Sequence, residues 1–374
     1  MTKVLAYSFL LVIGLTCSQL IGGFGEDWIQ LGTMFCLSFI MIHVGYEFEI
    51  DKSNPKQYGW DYFVAATAAM FPWLFCAGYF IWVLDINSWT EALLLARFSS
   101  PTSAGVLFSM LAAAGLSATW VFRKARVLAI FDDLDTILLM IPLKMMMVGM
   151  KWQLGLIVVL IMVLLWMAWR YLHVWRLPLS WPWIMLYAAI ITGVCEVIYL
   201  TSQLINDVVP VHLEVLLPAF VFGCMLARPT GHNPHLDDKR EGHQEGPEAS
   251  DEQRVSTIMA GCFMVLVGLS MPQIPIDNID WGIIALHVGF VTILSNLGKM
   301  FPFFCYKEEA TIRERLALSI AMFPRGEVGA GVLVVSMGYG LGGIALTVAV
   351  LSLALNLLLT GVFIIVVKKL IGEK

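Results

Sequence analysis

The sequence predicts an all-α, polytopic membrane protein of about twelve transmembrane helices, built as inverted repeats with broken helices. Three observations carry that expectation. Hydrophobic residues make up 59% of the chain and charged residues only 14%, with a mean hydropathy of +0.80, whereas globular proteins carry about 25% charged residues. Apolar runs long enough to cross a ~30 Å hydrocarbon layer recur from one end of the chain to the other. Two of those runs, the fourth and the eleventh, carry proline and glycine near their middles, and they match between the two halves if the sixth is a linker and the first half lacks one leading helix. A transporter rather than an enzyme is expected, with no cofactor and no nucleic-acid partner.

In order, the runs lie at approximately 4–22, 28–46, 60–84, 89–115, 120–148, 152–173, 181–205, 211–227, 255–271, 281–305, 311–338 and 343–368. The first lacks a small-residue cleavage site ahead of the next span, so it reads as a retained helix. With the N-terminus cytoplasmic, the inside segments hold all of the 23 Lys and Arg residues except five. Lys151 falls in an outside loop, and Arg97, Lys144, Lys299 and Arg325 lie within spans. Positive residues stay on the cytoplasmic side. Both termini are therefore expected there, in a multi-pass protein of the plasma (inner) membrane. The net charge of −5 adds little, because orientation follows placement rather than the sum.

The segment Arg228 to Arg254 is long and hydrophilic, with His232, His235 and His243 among many acids, and reads as a linker between bundles. A pH-sensing or metal-binding role for its histidines is the alternative. The seven cysteines stand singly in or beside apolar runs, without metal-ligand spacing, and read as small packing residues without disulfides. Gly338–Gly343 partly mimics a dinucleotide-binding turn, but it follows a span rather than a strand, which rules that reading out.

The chemistry concentrates in the fifth run, VLAIFDDLDTILLMIPLKMMMV at 127–148. Asp132, Asp133 and Asp135 sit near its middle, where a charge facing lipid costs roughly 2.5 kcal/mol at the least. Such acids must face protein or a water-filled cavity, and intramembrane acids of that kind handle ions or protons. In the fourth run, Arg97-Phe98-Ser99-Ser100-Pro101-Thr102-Ser103-Ala104-Gly105 should break the helix, since proline lacks a donor and clashes with the preceding turn. Phe323-Pro324-Arg325-Gly326-Glu327-Val328-Gly329 should do the same in the eleventh. Broken backbone at membrane depth survives only where protein buries it or a cavity meets it. At 1.5 Å per residue, Asp133, Lys299 and Arg325 lie roughly 10, 12 and 15 Å in from the cytoplasmic ends of their spans. A buried lysine needs an acid partner, and the acid pair Asp132/Asp133 is the one at its depth. Two adjacent acids and a lysine titrate as one coupled unit, so a cation and protons can compete for the same oxygens. Thr102 and Ser103 are candidate further ligands. Asp135 lies about 60° around the helix from Asp132 and about 200° from Asp133, which extends the Asp132 side. Glu196 reads as a packing or interface acid, and Arg97 and Lys144 as lining the outer vestibule.

At these residues the chain resembles the cation–proton antiporter superfamily, and bacterial sodium/proton antiporters of the two-aspartate type in particular. The resemblance runs through Ser99-Ser100-Pro101-Thr102, Asp132-Asp133, Gly298-Lys299 and Pro324-Arg325-Gly326-Glu327-Val328, in that order. It implies a dimerisation bundle and an ion-carrying core around crossed half-helices. The bundle takes 1–59 and 181–280, the core 60–150 and 281–374, and 151–180 links them. It implies further that Asp133 is the cation-binding carboxylate, that Asp132 partners Lys299, and that Arg325 and Glu327 form a paired support at the second crossing. Ser100, Pro101, Thr102 and Ser103 would shape the first crossing. One departure stands out: family members often place an acid before the crossing proline, where this chain has Ser100.

The function expected is exchange of a monovalent cation for protons by alternating access, electrogenic, in a homodimer embedded in the bilayer. Na⁺ is the expected cation, bound at Asp133 with Thr102 as a further ligand, and Li⁺ and K⁺ are the alternatives. A sodium-coupled organic solute symporter on a related fold is the second reading. It would need polar substrate groups beyond an ion site. A non-transporting membrane sensor is the third, suggested only by the His-bearing loop.

Overall fold

The computed structural model describes residues 2–21, 26–48, 55–148, 152–205, 215–227, 247–272, 281–338 and 340–372. Every apolar run read from the sequence falls on one helix or on a helix pair. α1 (Thr2–Ile21), α2 (Glu26–Tyr46) and α3 (Pro55–Trp82) come first. Then follow α4 (Trp89–Ala96), one 3-10 turn (Arg97–Ser99) and α5 (Ala104–Ala113). α6 (Trp120–Val148), α7 (Trp152–Arg170), α8 (Trp181–Ile205), α9 (Leu216–Met225) and α10 (Pro247–Leu269) continue the chain. It ends with α11 (Trp281–Gly298), α12 (Phe301–Phe304), α13 (Ile312–Ala321), α14 (Glu327–Gly338) and α15 (Gly343–Ile371). Among the described residues, six stretches are long and apolar enough to cross a membrane unaided: α1, α2, α3, α8, α15 and the α11–α12 pair. Most of the other passages are shorter, and α6 carries its three acids. The expected linker at Arg228 to Arg254 falls largely outside the described residues.

Packing divides the chain into two compact units. The first comprises Met1–Gln30, Asp51–Gly149 and Met264–Lys374, and so holds α1, α3–α6 and α11–α15. The second comprises Leu31–Ile50 and Met150–Phe263, with α7–α9 and most of α2 and α10. Inside the second unit, the backbones of α2 and α9 touch where Gly45 lies against Phe220 and Gly223 against Ile42. Small residues permit such close crossings in lipid, where packing has to replace the hydrophobic drive.

In the first unit, α3 packs along α11 and α6, and α15 along α13, α11 and α1. The α3–α11 contact is tight at Gly298, where a Cβ would fall on the backbone nitrogen of Pro72. That approach seats the following residue, Lys299, in the interior. Gly298→Val is therefore expected to force α11 away from α3 and to lower stability by about 3 kcal/mol. A reduced Tm of the purified protein in detergent, together with loss of exchange, is the measurement. An unchanged Tm would show that the contact is not required.

The fourth and eleventh runs break at their Pro- and Gly-bearing segments, as expected. α4 tightens into the turn Arg97–Ser99, which ends at Ser100, and Pro101 cannot continue it. Ser103 restarts the helix as the N-cap of α5, its Oγ accepting from Val106 N at 3.4 Å. Thr311 and Glu314 start α13 with a capping box. α13 ends at Ala321, and α14 begins at Glu327 beyond Pro324 and Gly326. The two breaks cross and satisfy each other. Ser103 N donates to Pro324 O at 2.9 Å, and Thr102 Oγ1 donates to Met322 O at 3.0 Å. Irregular backbone thereby keeps its hydrogen bonds inside protein, which is the condition for its survival at membrane depth.

Candidate functional site

The crossing is the most highly charged part of the first unit's core. Arg97, Arg325 and Lys299 are among the largest fully buried side chains, and Asp132, Asp133 and Asp135 are buried beside them at 0%, 2% and 3% exposure. Asp132 is the hub. Its Oδ2 accepts from Lys299 Nζ at 2.7 Å and from Thr102 N at 2.7 Å. One carboxylate therefore joins α6, the first break and the turn after α11. Asp132 Oδ1 makes no hydrogen bond among the described residues. Removing two charges from water costs several kcal/mol for each ion, and a single pair repays that only with good geometry and further hydrogen bonds. A stretch kept for stability alone would be better served by apolar side chains.

Arg325 staples the two breaks together. Its Nε donates to Ser99 O at 2.7 Å, Nη1 to Asn296 Oδ1 at 2.8 Å and Phe323 O at 3.1 Å, and Nη2 to Ser295 O at 2.9 Å. These acceptors include carbonyls at the ends of interrupted helices, where the backbone leaves acceptors without an intrahelical donor. Arg325 thus acts as a cap for the first break, the second break and α11 at once. Arg97, expected in the outer vestibule, is instead fully buried. Its Nη1 donates to Ser100 Oγ at 2.7 Å and Nη2 to Asp135 O at 3.0 Å, and its guanidinium lies 4.9 Å over the Trp73 ring. Ser100 receives the Arg97 hydrogen bond and passes its own to Ala69 O at 2.8 Å. A neutral hydroxyl suits that post, because the guanidinium already needs an acceptor there. Asp135 takes the Tyr62 hydroxyl on Oδ1 at 2.7 Å.

Of the residues singled out in the sequence, Asp132, Lys299 and Thr102 are in direct contact. Ser103 and Arg325 brace the crossing, and Ser100 and Pro101 are buried within it. Asp133 is buried next to the hub on α6. The side chains of Glu327 and Lys144 lie outside the described residues, and Glu196 is half-buried on α8 in the second unit. Seven partners escape a reading of the sequence: Tyr62, Ser295, Asn296 and a cluster of Asp61, Lys124, Tyr306 and Glu309. Of these, only Asn296 left a hint, as a polar side chain one turn before Lys299. In the last cluster, burial, then the Asp61 charge and its hydrogen bond, push the Tyr306 hydroxyl well above its ordinary pKa. It stays protonated and donates.

This geometry of paired acids, a buried lysine and two crossed helix breaks meets an independent finding. The family described as "Sodium/hydrogen exchanger, transmembrane" matches residues 3–370. The chain belongs to that family. Its members exchange cations for protons, so antiport and ion transport describe this exchanger as well. Its fold is similar to that of a solved structure, the sodium proton antiporter MjNhaP1 from Methanocaldococcus jannaschii at pH 8. That similarity has a TM-score of 0.59 and covers 98% of this chain and 92% of that one, at 16% identity. At such identity the likeness speaks for the fold, the sodium/proton antiporter fold with its crossed broken helices. Comparison with curated protein sequences gives no match.

Proposed function

We propose that this exchanger trades Na⁺ for protons across the plasma (inner) membrane by alternating access, and that the exchange is electrogenic. One observation carries the reading. Asp132 holds the Lys299 ammonium at 2.7 Å inside a fully buried crossing, with a second carboxylate, Asp133, adjacent. In this reading Asp133 is the principal cation ligand, and the oxygens of Asp132, Thr102 and nearby water complete the shell that a desolvated cation needs. An arriving cation competes with Lys299 for Asp132. Once its partner is taken, the lysine gives up its proton to water, and Asp133 has already given up its own. Two protons then leave for each cation bound. Arg325, together with Glu327 in the family resemblance, supports the crossing rather than touching the ion. A homodimer with both termini cytoplasmic belongs to the same proposal. So does a dimerisation bundle of spans 1, 2 and 7–9, although within one chain α1 packs on α15.

Purified protein in proteoliposomes tests this directly. An outward proton gradient, followed with a pH-sensitive dye, is expected to be dissipated by external Na⁺ with no organic solute present. Li⁺ and K⁺ in the same assay set the selectivity. Flux that appears only when an organic solute accompanies Na⁺ would replace the proposal with symport.

A further inference from the structure

Lys299 does not sit within a long helix. α11 ends at Gly298, and Lys299 and Met300 form a turn in which their N–H groups reach Asn296 O at 3.1 Å and Leu297 O at 3.0 Å. α12 is one turn long, and Cys305 and Tyr306 lead out of it. Such a segment has little stiffness of its own, so its position depends on its tertiary ties. Upstream, Arg325 holds Ser295 and Asn296. Downstream, Arg315 Nη1 donates to Phe303 O at 3.1 Å, and beyond it lies a cluster that the crossing does not use.

In that cluster Tyr306 donates to Asp61 Oδ1 at 2.7 Å. Lys124 Nζ lies 3.0 and 3.2 Å from the two Asp61 oxygens and 3.0 Å from Glu309 Oε2. It also lies 4.4 Å over the Tyr306 ring, which Trp120 meets edge-on. The Asp61 and Lys124 side chains are only 4% and 7% exposed, so these bonds are little weakened by water. Asp61 belongs to α3, Lys124 to α6, and Tyr306 and Glu309 to the segment that begins at Lys299. Lys124 stands about two turns before Asp132, roughly 12 Å along the helix. The two elements that carry the Asp132–Lys299 pair are thus tied a second time, at another level.

We infer that Asp61, Lys124 and Tyr306 are positioning residues of the exchange reaction: they clamp the segment after α11 to α3 and α6, so that Lys299 returns to Asp132 after each departure. The inference rests on the competition between lysine and cation proposed above. With the clamp weakened, Lys299 competes less well for Asp132. The cation then binds more tightly and leaves more slowly.

Tyr306→Phe is the sharpest test, because it keeps the ring over Lys124 and against Trp120 and removes one hydroxyl. The cation KM and kcat are both expected to fall, by roughly tenfold, the scale of one hydrogen bond to a charged group. A merely structural lesion would instead lower the amount of active protein and leave KM alone, and that result would overturn the clamp. A second readout needs no transport. Hydrogen–deuterium exchange in detergent should accelerate at the 299–306 amides of Tyr306→Phe and not in α15. Unaltered rates there would overturn the inference even if KM moved. If the parent protein shows no cation-driven proton flux, the exchange reading fails, and the amide rates alone decide the clamp. Lys124→Gln is expected to move every readout further in the same direction. Should it fail to fold, Tyr306→Phe still decides.

Discussion

Asp133→Asn is expected to abolish cation-driven proton exchange in a protein that still folds and inserts. The amide keeps the size of the carboxyl but can neither carry a negative charge nor release a proton. A unit charge about 4 Å from a cation is worth about 4 kcal/mol at the effective dielectric near a protein surface. Its loss would weaken cation binding roughly a thousandfold. The fold should survive, because the tie between α6 and the Lys299 turn runs through Asp132 Oδ2, which the substitution leaves in place. Proton flux in proteoliposomes, with a Tm measured in parallel, makes the comparison. Near-parental exchange by well-folded Asp133→Asn protein would remove Asp133 from the ion site.

Lys299→Gln is expected to take away the response to membrane potential while sparing part of the exchange. If Lys299 and Asp133 each release a proton per cation, a charge crosses in every cycle. Addition of Na⁺ should then drive a current on a solid-supported membrane, and an imposed potential should alter the flux. Glutamine keeps a donor for Asp132 but holds no releasable proton, so exchange would fall to one for one. The substitution also leaves the Asp132 carboxylate buried at 0% exposure without its ammonium. Breaking a buried pair from one side costs about 3–5 kcal/mol, and a lower Tm is expected alongside the lost current. Parental flux that ignores membrane potential would refute the lysine mechanism, whatever the fate of the antiport itself.

Much of this exchanger is legible along the chain, because a bilayer imposes severe rules. Apolar runs of membrane length can only be helices, and acids within them must be covered. Pro101 and Pro324 stand among Ser, Thr and Gly, a local composition that favours a break, whereas Pro72 and Pro142 lie inside continuous helices. The acid pair and Lys299 also stand out in isolation, since charge in hydrocarbon is too costly to be incidental. Arg97 was misplaced at the vestibule for the same reason that Lys299 was readable. The sequence gives its depth, and depth alone does not tell a water-lined position from a dry one.

Composition, the order of the apolar runs, the two interruptions and the presence of buried acids near a lysine were therefore determined by the sequence alone. They depend on local covalent chemistry and on the cost of polar groups in lipid, which act residue by residue. Only the tertiary structure decided that Asp132 takes Lys299 and Thr102 on one oxygen, and that Arg325 caps Ser99, Ser295 and Phe323. It also decided that Ser100 serves Arg97, and that Asp61 meets Lys124 and Tyr306 from three separate elements. Those choices depend on how helices rotate and cross, to within an ångström or so. Hydrogen bonds form only at such distances, and no spacing along the chain encodes them.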